Sequence, residues 1–273
     1  MLRRSQLYVP GNNEKMIRKA ASLEADSVVL DLEDAVPSSE KDRARALVLT
    51  LARELDWGKR ELCIRVNPID SVEFAGDMSM ARRAEAVSTV VVPKAEGDCS
   101  SISTRSGKSV IPIIETARGL MRLGEISRSK GMVAMTYGAA DFAASVGGSV
   151  SAYLDNEAIK TIIVAAARSA GVEALDNVFF DLDNQDGFRR QAVSARSLGF
   201  SGKQVIHPSQ IAIANEVFSP SKEEIAWARR VLAEIKSADA AKRGAIRVDG
   251  RLVDAVHYRI AKGIVERSEL TQG

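Results

Sequence analysis

Eight short apolar runs, each followed by a stretch with helical periodicity, set the strongest limit on how this chain folds. The runs are 6–10 (QLYVP), 27–32 (SVVLDL), 61–66 (ELCIRV), 89–93 (TVVVP), 110–115 (VIPIIE), 132–137 (MVAMTY), 176–181 (DNVFFD) and 203–207 (KQVIH). Between them, stretches such as 39–55, 116–129, 156–170 and 186–198 place apolar residues every three to four positions, as amphipathic helices do. Ser39 with Asp42 and Ser221 with Glu224 read as helix-start capping pairs. Strands that alternate with helices make parallel sheets, and eight repeats in 273 residues predict a closed (β/α)8 TIM barrel. An open doubly wound sheet lacks its fingerprint: no G-x-G-x-x-G occurs, and Gly107-Lys108-Ser109 fails as a P-loop because Ile102 stands where the first glycine belongs. Beyond the eighth run the pattern changes. Helices fit at 209–217 and 221–237, Asp249-Gly250 predicts a tight hairpin, and a last helix fits from about 254 to 267. The organisation expected is a barrel over 1–218 and a C-terminal hairpin-helix arm and lid over 219–273, both in one domain.

Charge excludes several partners. Thirty-eight basic and 36 acidic residues leave a net charge of +2, which gives no basis for binding nucleic acid or a charged membrane surface. No signal-peptide pattern and no membrane-length apolar run occur, so the cytosol is the expected compartment. Cys63 and Cys99 make no framework, and Cys63 is expected to be buried and inert. His207 and His257 are the only histidines, too few for a nitrogen- and sulfur-rich metal site. A metal here would be held by oxygen, which favours Mg2+ or a similar hard ion.

In such a barrel the C-terminal ends of the strands share one mouth, where chemistry collects. The strand ends supply Asp31, Glu33 and Asp34, then Arg65 and Asn67, Lys94, Glu115, Gly138 with Asp141, and His207. Glu115 and Asp141 follow consecutive runs and predict two oxygen ligands converging from neighbouring strands, with room for water and substrate. Taken singly, each reads better as a cap for the helix after it. Arg65 reads either as a bidentate clamp on a substrate carboxylate or as a structural partner of the acids at 31–34. Lys94 either reaches the mouth or pairs only with Glu96. Pro10-Gly11-Asn12-Asn13 reads as a turn with an Asn cap.

The segments "RSQLYVPGNNEKM", "VVLDLEDAVPSSEKDRAR", "IRVNPID", "VVVPKAEG", "IPIIETARGL", "YGAADFAASVGG", "LGFSGKQVIHPSQI", "VFSPSKEEIAWARRVL" and "VDGRLVDAVH" run in this order along nearly the whole chain. Together they resemble the citrate lyase β-subunit-like family, within the wider HpcH/HpaI aldolase and citrate lyase superfamily. The resemblance implies a (β/α)8 barrel, a trimer or larger homo-oligomer such as a hexamer, and Mg2+-dependent cleavage or formation of a carbon–carbon bond in 3-hydroxyacyl-CoA thioesters. It places metal ligands on Glu115 and Asp141, and the arginine for the substrate carboxylate on Arg65, with Arg65 and Glu115 both touching substrate. Asp31, Glu33 and Asp34 fall behind the metal, where they would hold its waters. Asp254 matches a catalytic aspartate that the C-terminal arm supplies to a neighbouring subunit; without the resemblance it reads as a helix cap.

The activity expected is therefore a lyase that releases acetyl-CoA and a 2-keto acid from a citramalyl-CoA, malyl-CoA or citryl-CoA type of thioester. A malyl-CoA thioesterase and a β subunit acting on an acyl-carrier thioester within a multisubunit citrate lyase are the alternatives. The histidine-centred base of HpaI-type aldolases is missing, which argues against a CoA-independent 2-keto acid aldolase.

Overall fold

The structure, a computed structural model, describes residues 1–236 and 245–272. The chain divides into two compact units, Arg3–Phe218 and Met1–Leu2 with the chain from Ser219 onward.

The first unit is a closed barrel of eight parallel strands in sequence order. These are β1 (Ser5–Pro10), β2 (Ser27–Asp31), β3 (Glu61–Arg65), β4 (Thr89–Val92), β5 (Ser109–Ile114), β6 (Ala134–Tyr137), β7 (Glu173–Asp176) and β8 (Gly202–Val205). Around them lie α1 (Glu14–Ala20), α2 (Lys41–Glu54), α3 (Phe74–Arg83), α4 (Ser100–Ser106), α5 (Ala117–Met121), α6 (Leu123–Ile126), α7 (Ala139–Ser145), α8 (Val150–Leu154), α9 (Glu157–Ser169), α10 (Gln185–Leu198) and α11 (Ser209–Val217). Strand β2 shows why these runs are continuously apolar. Val28 and Leu30 pack outward in the main core under the helices, while Val29 packs inward with Cys63, Val91, Ile111 and Leu175. A strand buried on both faces has no polar side to alternate with. The same parity places Asp31 on the inward side with Val29, and the register sets it beside Arg65 of β3. At the opposite end Arg3 grips Glu61 at 2.6 and 2.7 Å and Glu173 at 2.9 Å.

Three local expectations differ from the structure. The seventh strand is Glu173–Asp176, not 176–181. The conspicuous run from Asn177 to Phe180 lies past the paired residues, because only 173–176 lie in register with β6 and β8. The helix expected over 116–129 is two short helices. Arg122 leaves helical geometry between them (φ −109°, ψ 19°), and Gly119 is pressed so close to the Ala95 carbonyl that a Cβ there would sit 2.4 Å from the oxygen. Ser39 and Asp42 do not cap α2: a 3₁₀ turn over Ser38–Glu40 leads into it without a side-chain cap, and Asp42 pairs with Arg45. The Asn13 cap is as expected, accepting from the Met16 amide at 3.1 Å.

The second unit holds α12 (Lys222–Lys236), a hairpin of β9 (Ala245–Val248) and β10 (Arg251–Asp254), and α13 (Ala255–Gln272). Ser221 and Glu224 form the reciprocal capping pair, with bonds of 3.1 and 2.6 Å. The end of the helix expected over 221–237 and the residue preceding the hairpin fall at 237–244, outside the described residues. Asp249 and Gly250 both have positive φ, 47° and 79°, as a two-residue hairpin turn requires. Ala228, Val231, Val248, Val253 and Ala261 form the unit's own apolar cluster. Helix α13 runs past the expected 267 to Gln272. Among the described residues no helix is long and apolar enough to cross a membrane.

Candidate active site

A cavity of about 530 Å³ opens at the C-terminal ends of the strands. Its wall combines Asp31, Asp34, Arg65, Glu115 and Asp141 with Tyr8, Ile113, Tyr137, Val178, Phe180, Gln204 and Ile206. A larger hollow of about 1190 Å³ lies near the N-terminal ends of β3 and β4, but its charged groups, such as Arg53, Glu54 and Arg83, are solvated and none is buried. Perturbed, buried ionisable groups occur together at the smaller one, which makes it the candidate site.

Arg65 is the hub of the second and third strand ends. Its Nε and Nη2 donate to the two oxygens of Asp31 at 2.8 and 2.6 Å, a bidentate pair. Nη1 lies 2.9 Å from Glu33 Oε2 and 3.6 Å from Asp34. The Glu33 contact is an ion pair off hydrogen-bond geometry, so that buried oxygen has no hydrogen-bond donor. The guanidinium also lies 5.4 Å from the centroid of the Tyr8 ring. Asp31 additionally fixes the loop that follows it, accepting from the amides of Glu33 and Ala35 at 2.9 and 3.2 Å.

That loop is tied down from beneath. Lys41, buried in the first turn of α2, donates to the carbonyls of Leu32 and Glu33 and to Asn67 at 2.6 to 2.7 Å. Asn67 in turn bonds to Leu32 and to the buried Asp77. The chain therefore positions its acids through the Asn67 amide and a buried lysine that carries no pattern of its own in the sequence.

Glu115 directly follows β5 and is 3% exposed. Its Oε1 accepts the Lys94 amide at 2.7 Å, while the cap of α5 is the neighbouring Thr116. Burial, then the charges of Glu33 and Asp141, push its carboxyl up to about 8. Burial also raises Glu33 above the usual carboxylate range. Asp141 stands in the first turn of α7, whose cap position is Gly138, and makes no capping bond. The cap readings of Glu115 and Asp141 thus fail, and both carboxylates remain directed to the same region.

Gly138 is where these two elements meet. A Cβ at this position would sit 2.3 Å from Glu115 Oε2 and 2.7 Å from Glu115 Cβ. Gly138→Ala is expected to push the Glu115 side chain aside, lowering stability by about 1–3 kcal/mol and weakening divalent-cation binding more than tenfold. Thermal melting with and without Mg2+ checks both effects.

Lys94 reaches the mouth. Its Nζ lies 2.5 Å from Glu33 Oε1 and 3.9 Å from Asp141, whereas Glu96 bonds to Thr116 and Arg118. Burial opposes its charge, but Glu33 more than compensates, and the ammonium is held above its ordinary value.

Of the five carboxylates at the mouth, those of Asp31, Glu33, Asp34 and Asp141 have Arg65 or Lys94 as counter-ions, while Glu115 has the Lys94 amide. The site is short of positive charge, and the deficit is greatest at Glu115. Among the described residues no three His, Cys, Asp or Glu side chains converge as a ready-made cage. Two oxygen donors in a polar, open setting fit Mg2+, which keeps several of its waters and tolerates few protein ligands.

The sequence matches the model of the HpcH/HpaI aldolase/citrate lyase family over residues 4–208. The chain belongs to this family. The family member is 34% identical to the mitochondrial citramalyl-CoA lyase of Rattus norvegicus, over 96% of this chain and 85% of that one. It is also 34% identical to the L-malyl-CoA/β-methylmalyl-CoA lyase of Rhodobacter capsulatus, over 99% and 96%. Among solved structures, CitE from Mycobacterium tuberculosis, in complex with magnesium, acetoacetate and coenzyme A, superposes with a TM-score of 0.82 at 33% identity, covering 97% of each chain. The family member's closed eight-strand barrel agrees with that likeness.

Asp254 belongs to the second unit. Its carboxylate caps α13, accepting from the amides of Val256 and His257 at 2.9 and 3.3 Å and contacting His257 Nδ1 at 2.8 Å. These bonds, led by the one to the His257 side chain, lower its carboxyl below the usual range.

Proposed function

We propose that this family member is a Mg2+-dependent carbon–carbon lyase that cleaves a 3-hydroxy-dicarboxylyl-CoA of the citramalyl-CoA, malyl-CoA or citryl-CoA type into acetyl-CoA and a 2-keto acid. The observation that carries this is the under-neutralised pair Glu115 and Asp141 beside a fixed guanidinium, in a chain of the family of citramalyl-CoA and malyl-CoA lyases. Glu115 and Asp141 would hold the cation. When bound, Mg2+ supplies Lewis-acid stabilisation of negative charge developing on the substrate's hydroxyl oxygen.

The rest falls to the chain itself. Two of Arg65's five N–H groups bond to Asp31, so it retains donors for a substrate carboxylate while its orientation stays fixed. Asp31 and Glu33 keep Arg65 and Lys94 in place, and Asp34, on the exposed rim, is open to water and ligand. Ile113, Val178, Phe180 and Ile206 give the acyl group an apolar wall that excludes water from the breaking bond.

The bond cleaved joins the hydroxyl-bearing carbon to the carbon next to the thioester. Its electron pair passes to the departing acetyl group, whose methyl carbon must gain a proton as the hydroxyl loses one. We assign that proton transfer to Asp254 on the arm formed from Ser219 onward, reaching a neighbouring subunit of a trimer or hexamer. Two buried free cysteines suit a reducing compartment such as the cytosol.

The test is to incubate the purified protein with Mg2+ and citramalyl-, malyl- and citryl-CoA and to identify the products. Acetyl-CoA with pyruvate, glyoxylate or oxaloacetate is the expected result. Malate with free CoA would assign a thioesterase, and no turnover of any free CoA thioester would reject a standalone lyase.

A further inference from the structure

Lys94 occupies a backbone position that a lysine rarely takes. Pro93 and Lys94 turn the chain at the end of β4, and Lys94 has φ 48°. Gly or Asn ordinarily fills such a corner, because a Cβ crowds the following carbonyl there. Among the described non-glycine residues only Asp249 shares a positive φ, and its hairpin turn demands it. A lysine kept at such a corner calls for a reason in what its side chain and amide do.

This one residue touches three acids of the mouth. Its amide bonds to Glu115 at 2.7 Å, its ammonium lies 2.5 Å from Glu33 Oε1, and the same ammonium is 3.9 Å from Asp141. Arg65 stands 2.9 Å from the other Glu33 oxygen. Glu33 is thus held by a cation on each oxygen, while Glu115 has an amide and Asp141 only a distant share of the ammonium. We propose that Lys94 is a positioning residue that sorts these acids: its ammonium withholds Glu33 from a divalent cation and leaves Glu115 and Asp141 as the ligands. This rests on the reading that those two carboxylates hold the cation.

The consequence is selectivity. Two protein carboxylates with several waters suit Mg2+, whereas a third carboxylate in reach favours Ca2+, which accepts more oxygen ligands in looser geometry. Lys94→Met releases Glu33 Oε1, with Arg65 still on Oε2, and lets the released oxygen turn toward the set; Glu33→Gln/Lys94→Met removes that carboxylate again. Mn2+ binding to the full-length protein, followed by the electron paramagnetic resonance signal of free Mn2+ with Mg2+ and Ca2+ as competitors, reads this without turnover. Lys94→Met is expected to shift the ratio of competition constants toward Ca2+ by roughly tenfold. The double variant is expected to return to the parent ratio, and Glu33→Gln alone to stay near it. An unshifted ratio in Lys94→Met, or no return in the double variant, would overturn the role of Lys94. So would a tenfold loss of Mn2+ affinity in Glu33→Gln alone, a conservative variant that stands even if Lys94→Met does not fold. Absence of Mn2+ binding by the parent protein would overturn the cation reading itself, and the Lys94 role with it.

Discussion

Glu115→Gln is expected to fold, to melt higher than the parent when both are free of metal, and to gain nothing from Mg2+. The parent carboxyl is buried beside Glu33 and Asp141, and its value is pushed up to about 8. An ordinary glutamate loses its proton near 4.3. Between these values the folded chain holds a proton that the unfolded chain has released, so stability falls as pH rises and levels off above about 8. The metal-free parent should therefore lose melting temperature from about pH 5 to 8, and Glu115→Gln should lack this component. Mg2+ competes with the same proton, so its affinity for the parent should climb over that window and then flatten. Turnover of the CoA thioester should fall by about 10²–10³-fold in the variant, on the order expected when stabilisation of a developing oxyanion is lost. Differential scanning fluorimetry across pH, with and without Mg2+, separates these effects. Equal Mg2+ stabilisation of parent and variant would remove Glu115 from the cation's ligands.

The barrel was legible because its signal is repeated. Each strand is buried on both faces and each helix on one, so the alternation of short apolar runs with 3.6-residue periodicity recurs eight times. One weak period could be misplaced without loss of the fold, as happened at β7, where the more apolar "NVFF" lies beyond the short paired segment "EALD". The helix break at Arg122 had no such redundancy. Gly119, three residues earlier, lies against the Ala95 carbonyl, a contact across 24 residues that local pattern does not encode.

In the site, strand-end position carried Asp31, Arg65 and Glu115 into view, since parity and register bring inward residues of adjacent strands together, while Asp141, in the first turn of α7, was marked by its place after the sixth run. What remained hidden was the allocation of partners. Lys41 looks like any lysine on a solvated helix face, yet it is buried under the loop that bears Glu33. Lys94 could not be told from a partner of Glu96, because the choice rests on a backbone turn with positive φ at a residue type that gives no warning of it. Asp254 caps α13, as its position after the hairpin suggests.

Arg65→Met should be the most damaging single change to stability in the mouth. The guanidinium is bonded to Asp31, 2% exposed, and lies in ion contact with Glu33, 4% exposed. Removing it leaves buried Asp31 without its bidentate partner and Glu33 with Lys94 alone, a loss of about 3–5 kcal/mol by comparison with other broken buried ion pairs. An unpaired buried carboxyl binds its proton more tightly folded than unfolded. Burial already raises Glu33 above the usual carboxylate range, and losing Arg65 should raise it further, so the deficit should grow as pH rises above the ordinary glutamate value and shrink in acid. Arg65→Lys keeps the charge but not the planar fork that meets both Asp31 oxygens, so it should lose less stability than Arg65→Met. Its turnover should still fall by about 10²–10³-fold, because the substrate carboxylate loses its oriented donors. Asp31→Asn combined with Arg65→Met tests the division of labour. Removing one stranded charge should recover part of the melting temperature without recovering turnover. If Arg65 were only a structural partner of the acids, Arg65→Lys would retain near-parental KM and kcat once folded; a raised KM together with a lowered kcat identifies the residue as a substrate clamp.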